Sequence, residues 1–181
     1  LLHPHLNVYD FTADELIDYI SGWDHLLLKR GVSCAERLFR ETFQDFSGNT
    51  EGKNTYSIFL DLKLKLDEHL RKEAYILFPY ALKLLGKAVG AEAPESLSVG
   101  LLKNPLQVMQ IEHTAMLELL GELRKGFHNF SLPTGDDRKK RMSYGELFLL
   151  EQTLYGHAHV QQNILFPKLM EAEQKIIKQW A

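Results

Sequence analysis

Two stretches of this chain repeat one pattern of residues that can hold a metal. His69 is followed four places on by Glu73 and then by Ile76-Leu77-Phe78-Pro79; His157 is followed four places on by Gln161 and then by Ile164-Leu165-Phe166-Pro167. On a helix, positions i and i+4 share a face. Each pair therefore points in one direction, and two such helices can aim both pairs at a common point. Helix-borne His and carboxylate side chains projecting into a bundle are how helical proteins hold dinuclear iron. The second copy differs in one respect that matters chemically: it carries an amide where the first carries a carboxylate.

The elements that must position these residues are four. Thr12-Ala13-Asp14-Glu15 reads as a capping box, and helix one is expected from there to about Phe46. Ser47 to Gly52 is a turn cluster. Helix two is expected over about Asn54 to Val89, kinked or locally broken by Pro79. A linker over Gly90 to Asn104 precedes helix three, about Pro105 to Phe130, with Pro105 at its start. After a loop at Ser131 to Gly135, helix four is expected over about Asp136 to Lys178, with Pro167 in the place of Pro79. No β-type alternation is present. The expected architecture is all-α, an antiparallel up-and-down four-helix bundle. Residues 1–10 read as an irregular leader and 11–181 as a single bundle domain.

Apolar stripes can be followed along each helix. They run His25, Leu28, Val32, Ala35, Phe39, Thr42, Phe46 in helix one and Leu62, Leu66, His69, Glu73, Ile76, Tyr80 in helix two. In helix three the stripe is Met109, His113, Met116, Leu120, Leu123, Phe127, and in helix four Leu147, Leu150, Leu154, His157, Gln161, Ile164. Such spacing faces the core. Every helix thus carries one His in its stripe, and two helices add a polar group one turn later. Burying an imidazole or carboxylate without a partner costs about 2 kcal/mol or more. A lone core-facing His is more often hydrogen-bonded to a neighbour than bound to a metal. Four of them, one per helix, with the duplicated His-x-x-x-Glu/Gln pattern, point to convergence on a metal ion.

Composition narrows the rest. The 181 residues are 45% hydrophobic and 25% charged, with a net charge of -3, which reads as globular. Nothing in this balance suggests a nucleic-acid partner or an anionic membrane surface, and no apolar run approaches the roughly 20 residues that span a bilayer. One cysteine, Cys34, rules out an internal disulfide framework and a Cys-rich metal site, and suits a reducing, cytoplasmic compartment. The ligands of any metal must come from N and O donors, and the chain has eight His. There is no nucleophile–base pair and no phosphate loop. The chain starts at Leu1 without a Met and without a signal pattern. It is expected to be a trimmed form, or the ordered part, of a longer protein, with His3 and His5 on the surface or left from a tag.

Taken together, Leu16-Ile17-Asp18-Tyr19-Ile20 followed by His25, His69 to Pro79, Glu112-His113 and His157 to Pro167 resemble the hemerythrin-like (HHE cation-binding) domain. The resemblance is nearest to its di-iron branch concerned with repair of iron centres under nitrosative and oxidative stress, and it spans about Phe11 to Glu173. It implies two irons, with His25 and His157 on one, His69 and His113 on the other, and Glu73 as a bridging carboxylate. Gln161 stands where a second bridge would be. An amide is neutral, its NH2 end cannot bind a cation, and its carbonyl can ligate one metal weakly. Glu118, Glu112, Glu68 and Asp24 are the acids that could compensate. The last three directly precede His residues and are better placed to orient imidazoles than to ligate. The short Cys-containing N-terminal module of that branch is not expected here, so functions relying on it are not carried over.

The function implied by the resemblance is binding of nitric oxide, O2 or peroxide at a non-heme iron site, with a protein redox partner, in stress response or iron-centre repair. Two alternatives stay open: a single-metal sensor, holding Fe or Zn, and a metal-free helical regulatory module. Among the remaining residues, His159 is expected on the outer face and His128 near a helix C-terminus. Tyr75, Tyr80 and Tyr155 are candidate donors near the site, Trp23 a solvent barrier, Cys34 a small buried side chain, and the Ile-Leu-Phe side chains ordinary core packing.

Overall fold

The computed structural model describes residues 7–42, 50–90, 99–127, 129 and 138–180. His3, His5 and His128, and the loop at Ser131 to Gly135, lie outside them. Four long helices carry the fold. Helix α1 joins Ala13–Tyr19, a π turn Ile20–Asp24 and His25–Thr42; α2 joins Thr50–Lys72, a π turn Glu73–Leu77 and Phe78–Ala88. Helix α3 is Lys103–Gly126, and α4 joins Arg138–Val160, a π turn Gln161–Leu165 and Phe166–Trp180. No strand occurs among the described residues, and none of their helices is long and apolar enough to cross a membrane. The bundle is all-α, as expected.

The ends of the helices follow local chemistry. Thr12 caps α1: its hydroxyl accepts from Glu15 N–H while the Glu15 carboxylate accepts from Thr12 N–H at 2.8 Å, the reciprocal box read from the sequence. Within the expected leader, Val8–Asp10 form a 3-10 turn that buries Val8. Helix α2 starts at Thr50, earlier than the turn cluster suggested, and closes on Gly90, whose φ of 84° is the left-handed conformation that glycine adopts without a Cβ penalty. Helix α3 starts at Lys103, two residues before Pro105, and stops at Gly126 rather than Phe130. The buried Glu173 carboxylate of α4 accepts from the N–H groups of Gly100 and Leu102, which anchors the approach to α3.

Neighbouring helices run antiparallel. Gly31 of α1 packs on Leu150 of α4, and Gly126 of α3 lies so close to Thr55 of α2 that a Cβ there would sit 2.7 Å from the Thr55 hydroxyl. Two large apolar clusters result, with a small third of Leu84, Ala172 and Ile176. One gathers Leu16, Ile17, Ile20, Leu77, Phe78, Ala81, Leu106, Met109, Leu165 and Leu169; the other gathers Leu28, Val32, Phe39, Phe59, Leu62, Leu66, Met116, Leu120, Leu147, Leu150 and Leu154. The four stripe histidines fall between them along every helix.

Three of the four helices widen into a π turn beside this level, and the consequence is a change of register. A π turn inserts one extra residue per turn, so every later side chain rotates by about one position. In α2 the stripe was expected to continue from Glu73 to Ile76 and Tyr80. Instead Ile76 is 66% exposed, Tyr80 is half-buried, and Leu77, Ala81 and Leu84 take the core positions. In α4 Ile164 is buried as expected, and beyond it the core positions are Leu165, Leu169, Ala172 and Ile176. In α2 and α4, though not in α1, whose π turn has no proline after it, the prolines account for the placement. Pro79 and Pro167 have no N–H to donate and their rings crowd the preceding turn. The turn that bonds Phe78 N–H to Glu73 C=O, and Phe166 N–H to Gln161 C=O, widens the helix directly ahead of each. The proline thus expands the helix locally rather than breaking it. Truncating Leu77→Ala is expected to cost about 2–5 kcal/mol of unfolding free energy, and Ile76→Ala less than about 0.5. Urea unfolding of the two variants checks the register, and the reverse order would overturn it.

Candidate metal centre

The four stripe histidines, Glu73 and Gln161 are all buried, and they meet in one polar layer between the two apolar clusters. Each His turns its Nε2 inward. His25 Nε2 lies 2.8 Å from Glu73 Oε2, His69 Nε2 3.2 Å from Glu73 Oε1, and His157 Nε2 3.6 Å from Glu73 Oε2. His113 Nε2 approaches His69 Nε2 at 3.0 Å. Gln161 donates its amide N–H to Glu73 Oε1 and sits 3.3 Å from His157 Nε2. His69, Glu73, His113 and His157 each offer one donor atom within 4.8 Å of all the others, a buried group able to hold a metal ion.

The outward Nδ1 atoms are addressed by the neighbouring helices. Glu112 Oε2 accepts from His69 Nδ1 at 3.0 Å and is itself paired with Lys72. Gln162 holds its amide 3.0 Å from His113 Nδ1. Asp24 lies 3.7 Å from His157 Nδ1. Donation from His69 Nδ1 to Glu112 leaves the His69 Nε2 lone pair facing inward, the form a metal requires, whereas His113 Nδ1 accepts from the Gln162 amide and its Nε2 proton is directed at His69 Nε2. Of the four acids read from the sequence, Glu112 and Asp24 reach imidazoles, but each reaches the His of another helix rather than its own neighbour in sequence. Glu68 and Glu118 are exposed.

Several contributors escaped the sequence reading. Phe78 stacks on His25 with ring centroids 5.9 Å apart, and Phe166 on His113 at 6.5 Å. The repeated Phe is therefore more than core filling: each copy covers a histidine of a neighbouring helix. The duplicated motif was the available signal. Gln162 carried none, because a Gln beside a core position is ordinarily a surface residue. The tyrosine beside the site is Tyr19, whose phenol is pushed up to about 12 by burial and by the Asp24 carboxylate to which it is bonded. Tyr75 and Tyr155 are exposed, and Tyr80 faces Glu173. His159 is exposed as expected and meets Tyr9 and Asn163. Trp23 is partly exposed and lines a cleft of about 650 Å³ between α1 and α4 that also holds Cys34 and reaches Asp24 and His157.

Electrostatics bind the layer together. Burial opposes the Glu73 charge, but the His157 imidazolium and hydrogen bonds from His157, His25 and His69 outweigh it and hold Glu73 well below the usual carboxylate range. Burial also opposes the His157 charge, yet Glu73 and then Asp24 raise His157 to about 9. Burial and the charges of His69 and His157 push His113 down to about 3. Two buried side-chain polar atoms among the described residues have no hydrogen-bond partner: His157 Nδ1 and Gln161 Oε1. An ionised carboxylate approached by three Nε2 atoms, with a fourth imidazole and an unsatisfied amide oxygen beside it, is a donor set that suits a cation.

The fold and the layer define an all-α four-helix bundle with a buried His/Glu group able to hold a metal. Among known proteins, the chain is similar to the iron-sulfur cluster repair protein YtfE of Edwardsiella ictaluri, 32% identical over 109 residues, which is 60% of this chain and 43% of that protein. It is 28% identical over 109 residues to the proteins of the same name from Yersinia pestis and Yersinia pseudotuberculosis, again over 60% of this chain and 43% of theirs. The matched region spans less than half the length of these relatives. No family model matches the chain.

These charges set a pH dependence for the protein stripped of metal. His157 binds its proton more tightly when folded, so its contribution is complete below pH 6.5 and is lost as pH rises through about 9. His113 resists protonation when folded, so stability falls as pH drops from 6.5 towards about 3. The Glu73 contribution is present above pH 4.5 and is lost in acid. Thermal melts of chelator-treated protein are expected to give a maximum Tm near pH 6.5 and lower values at pH 5 and pH 9. A Tm that climbs steadily from pH 5 to 9 would contradict this assignment.

Proposed function

We propose that this protein binds iron in its bundle core and that the bound iron meets a small diatomic or peroxide, with nitric oxide and O2 as the leading candidates. The protein would serve in iron-centre repair or in the response to nitrosative and oxidative stress. The convergence of three inward Nε2 atoms on one buried, ionised carboxylate, with a fourth from His113 against His69, carries the reading. His25, His69, His113 and His157, with Glu73 and Gln161, form the group from which the ligands are drawn. Iron suits imidazole and carboxylate donors better than Ca or Mg would, and Zn is the competing ion.

Three further observations support this function. The relatives are named for repair of iron–sulfur clusters, which favours iron over zinc. The layer is closed off by Phe78, Phe166 and the two apolar clusters, which limits reactants to small molecules. The cleft beside Trp23 offers such molecules an approach to the His157 side. When bound, iron would supply an open coordination position and redox chemistry. The chain's own residues would hold the His69 tautomer through Glu112, orient the His113 ring through Gln162, exclude bulk water, and keep Glu73 ionised. A cytoplasmic setting and a protein redox partner complete the proposal.

Metal binding should also stabilise the fold by mass action. Anaerobic loading with ferrous iron is expected to leave iron bound after desalting, to raise the Tm above that of chelated protein, and to produce new optical and paramagnetic signals on adding nitric oxide. Protein that retains no iron would sink the metal reading. Retained iron whose spectrum is unmoved by nitric oxide, O2 and peroxide would sink the reactivity.

A further inference from the structure

We infer that the core holds one metal ion rather than a pair, with His69, Glu73, His113 and His157 as ligands and with His25 and Gln161 as positioning residues that hold the Glu73 carboxylate. The inference rests on the iron-binding reading above and specifies its stoichiometry. It departs from the two-iron arrangement that the sequence resemblance implies, and three observations carry it.

The first is distance. The donor atoms of His69, Glu73, His113 and His157 all lie within 4.8 Å of one another. Ligands bonded to one first-row ion at about 2.0–2.2 Å sit roughly 3–4 Å apart, so this set closes around a single centre. His25 stands outside the set and meets it only through the carboxylate, with its Nε2 2.8 Å from Glu73 Oε2.

The second is the state of the carboxylate. Glu73 Oε1 accepts from the Gln161 amide, and Oε2 is matched to His25. A carboxylate that bridges two cations turns a lone pair of each oxygen to metal. Each oxygen keeps a second lone pair, but a second ion on Oε2 would find only His25 and the neutral Gln161 amide as further protein ligands once His69, His113 and His157 are taken by the first.

The third is charge. Among the described residues Glu73 is the one anionic side chain inside the layer; Glu112 and Asp24 lie behind it, on the Nδ1 sides of His69 and His157. One divalent ion would leave the layer with a net charge of about +1, and two would leave about +3 in a site closed to water. Gln161 contributes no charge, whereas a carboxylate there would supply both the missing anion and a second pair of bridging oxygens. The residue at 161 therefore sets the metal count.

The test uses the full chain, freed of metal and reloaded without oxygen with ferrous iron and, separately, with Co(II). Metal per chain is counted by elemental mass spectrometry, and magnetic coupling between ions is sought by electron paramagnetic resonance. The wild type is expected to hold one ion per chain with no coupling signal. Gln161→Glu is expected to hold two that are magnetically coupled. His25→Gln should still hold one, with affinity weaker by about 10–100-fold and shifted Co(II) absorption bands; His113→Ala should lose the ion. Circular dichroism confirms that each variant folds, and the wild-type count decides alone if one does not. Two ions in the wild type would overturn the inference while leaving the iron-binding reading intact; no ion would overturn both. A count that stays at one in Gln161→Glu would remove Gln161 as the determinant. Loss of all metal in a folded His25→Gln would make His25 a ligand.

Discussion

A carboxylate in a dry protein core is the constraint on which this bundle depends. Glu73 is fully buried, and a lone carboxylate there would be driven to take up a proton. It stays ionised because imidazoles from three helices, α1, α2 and α4, point Nε2 at it, and because Gln161 adds an amide hydrogen. The same contacts that keep the charge also fix how α1, α2 and α4 meet. His113 then ties α3 to the layer through His69. A site built in this way is part of the packing of the bundle, not an addition to a surface.

The apolar clusters on either side make that layer costly to disturb. Water is excluded from above by Leu77, Phe78 and Leu165 and from below by Leu66, Met116 and Leu154. Within so closed a space, electrostatic interactions are stronger than in solvent, and each unsatisfied polar atom costs more. This explains why the outward Nδ1 atoms are also addressed, by Glu112 and Gln162, with Asp24 standing beside the third. Phe78 stacked on His25 and Phe166 on His113 cover one ring face of each imidazole with apolar surface.

The repeated Ile-Leu-Phe-Pro element gains a structural meaning in this setting. Each proline forces the helix to open, and the resulting π turn begins at the polar residue itself, Glu73 in α2 and Gln161 in α4. Opening the helix there rotates the following residues, so that in α2 Leu77 rather than Ile76 takes the core position, and in both helices the phenylalanine stacks on a histidine of a neighbouring helix. The two half-motifs share the π turn and the stacking of Phe on His, although Ile76 is exposed and Ile164 buried. Their inward polar residues differ as a carboxylate from an amide, and the proposed metal count follows from that difference.

Much of this was legible in the residues alone. Hydrophobic period, turn residues and the Thr12–Glu15 box define four helices, because these signals act locally on the backbone. Burial of His25, His69, Glu73, His113, His157 and Gln161 follows from the same period, since a polar residue in an apolar stripe must go where the stripe goes. What the residues alone did not reveal depends on contacts between helices. The π turns moved the α2 stripe by one position, from Ile76 to Leu77, because an extra residue per turn is invisible to a count that assumes regular spacing. Glu112 was assigned to no particular imidazole until the packing of α2 on α3 set it against His69, and Gln162 acquired a role only when α4 brought it to His113. Tyr19, not Tyr75 or Tyr155, became the phenol beside the site for the same reason. A sequence specifies which face of each helix is buried; only the assembled bundle specifies what that face meets.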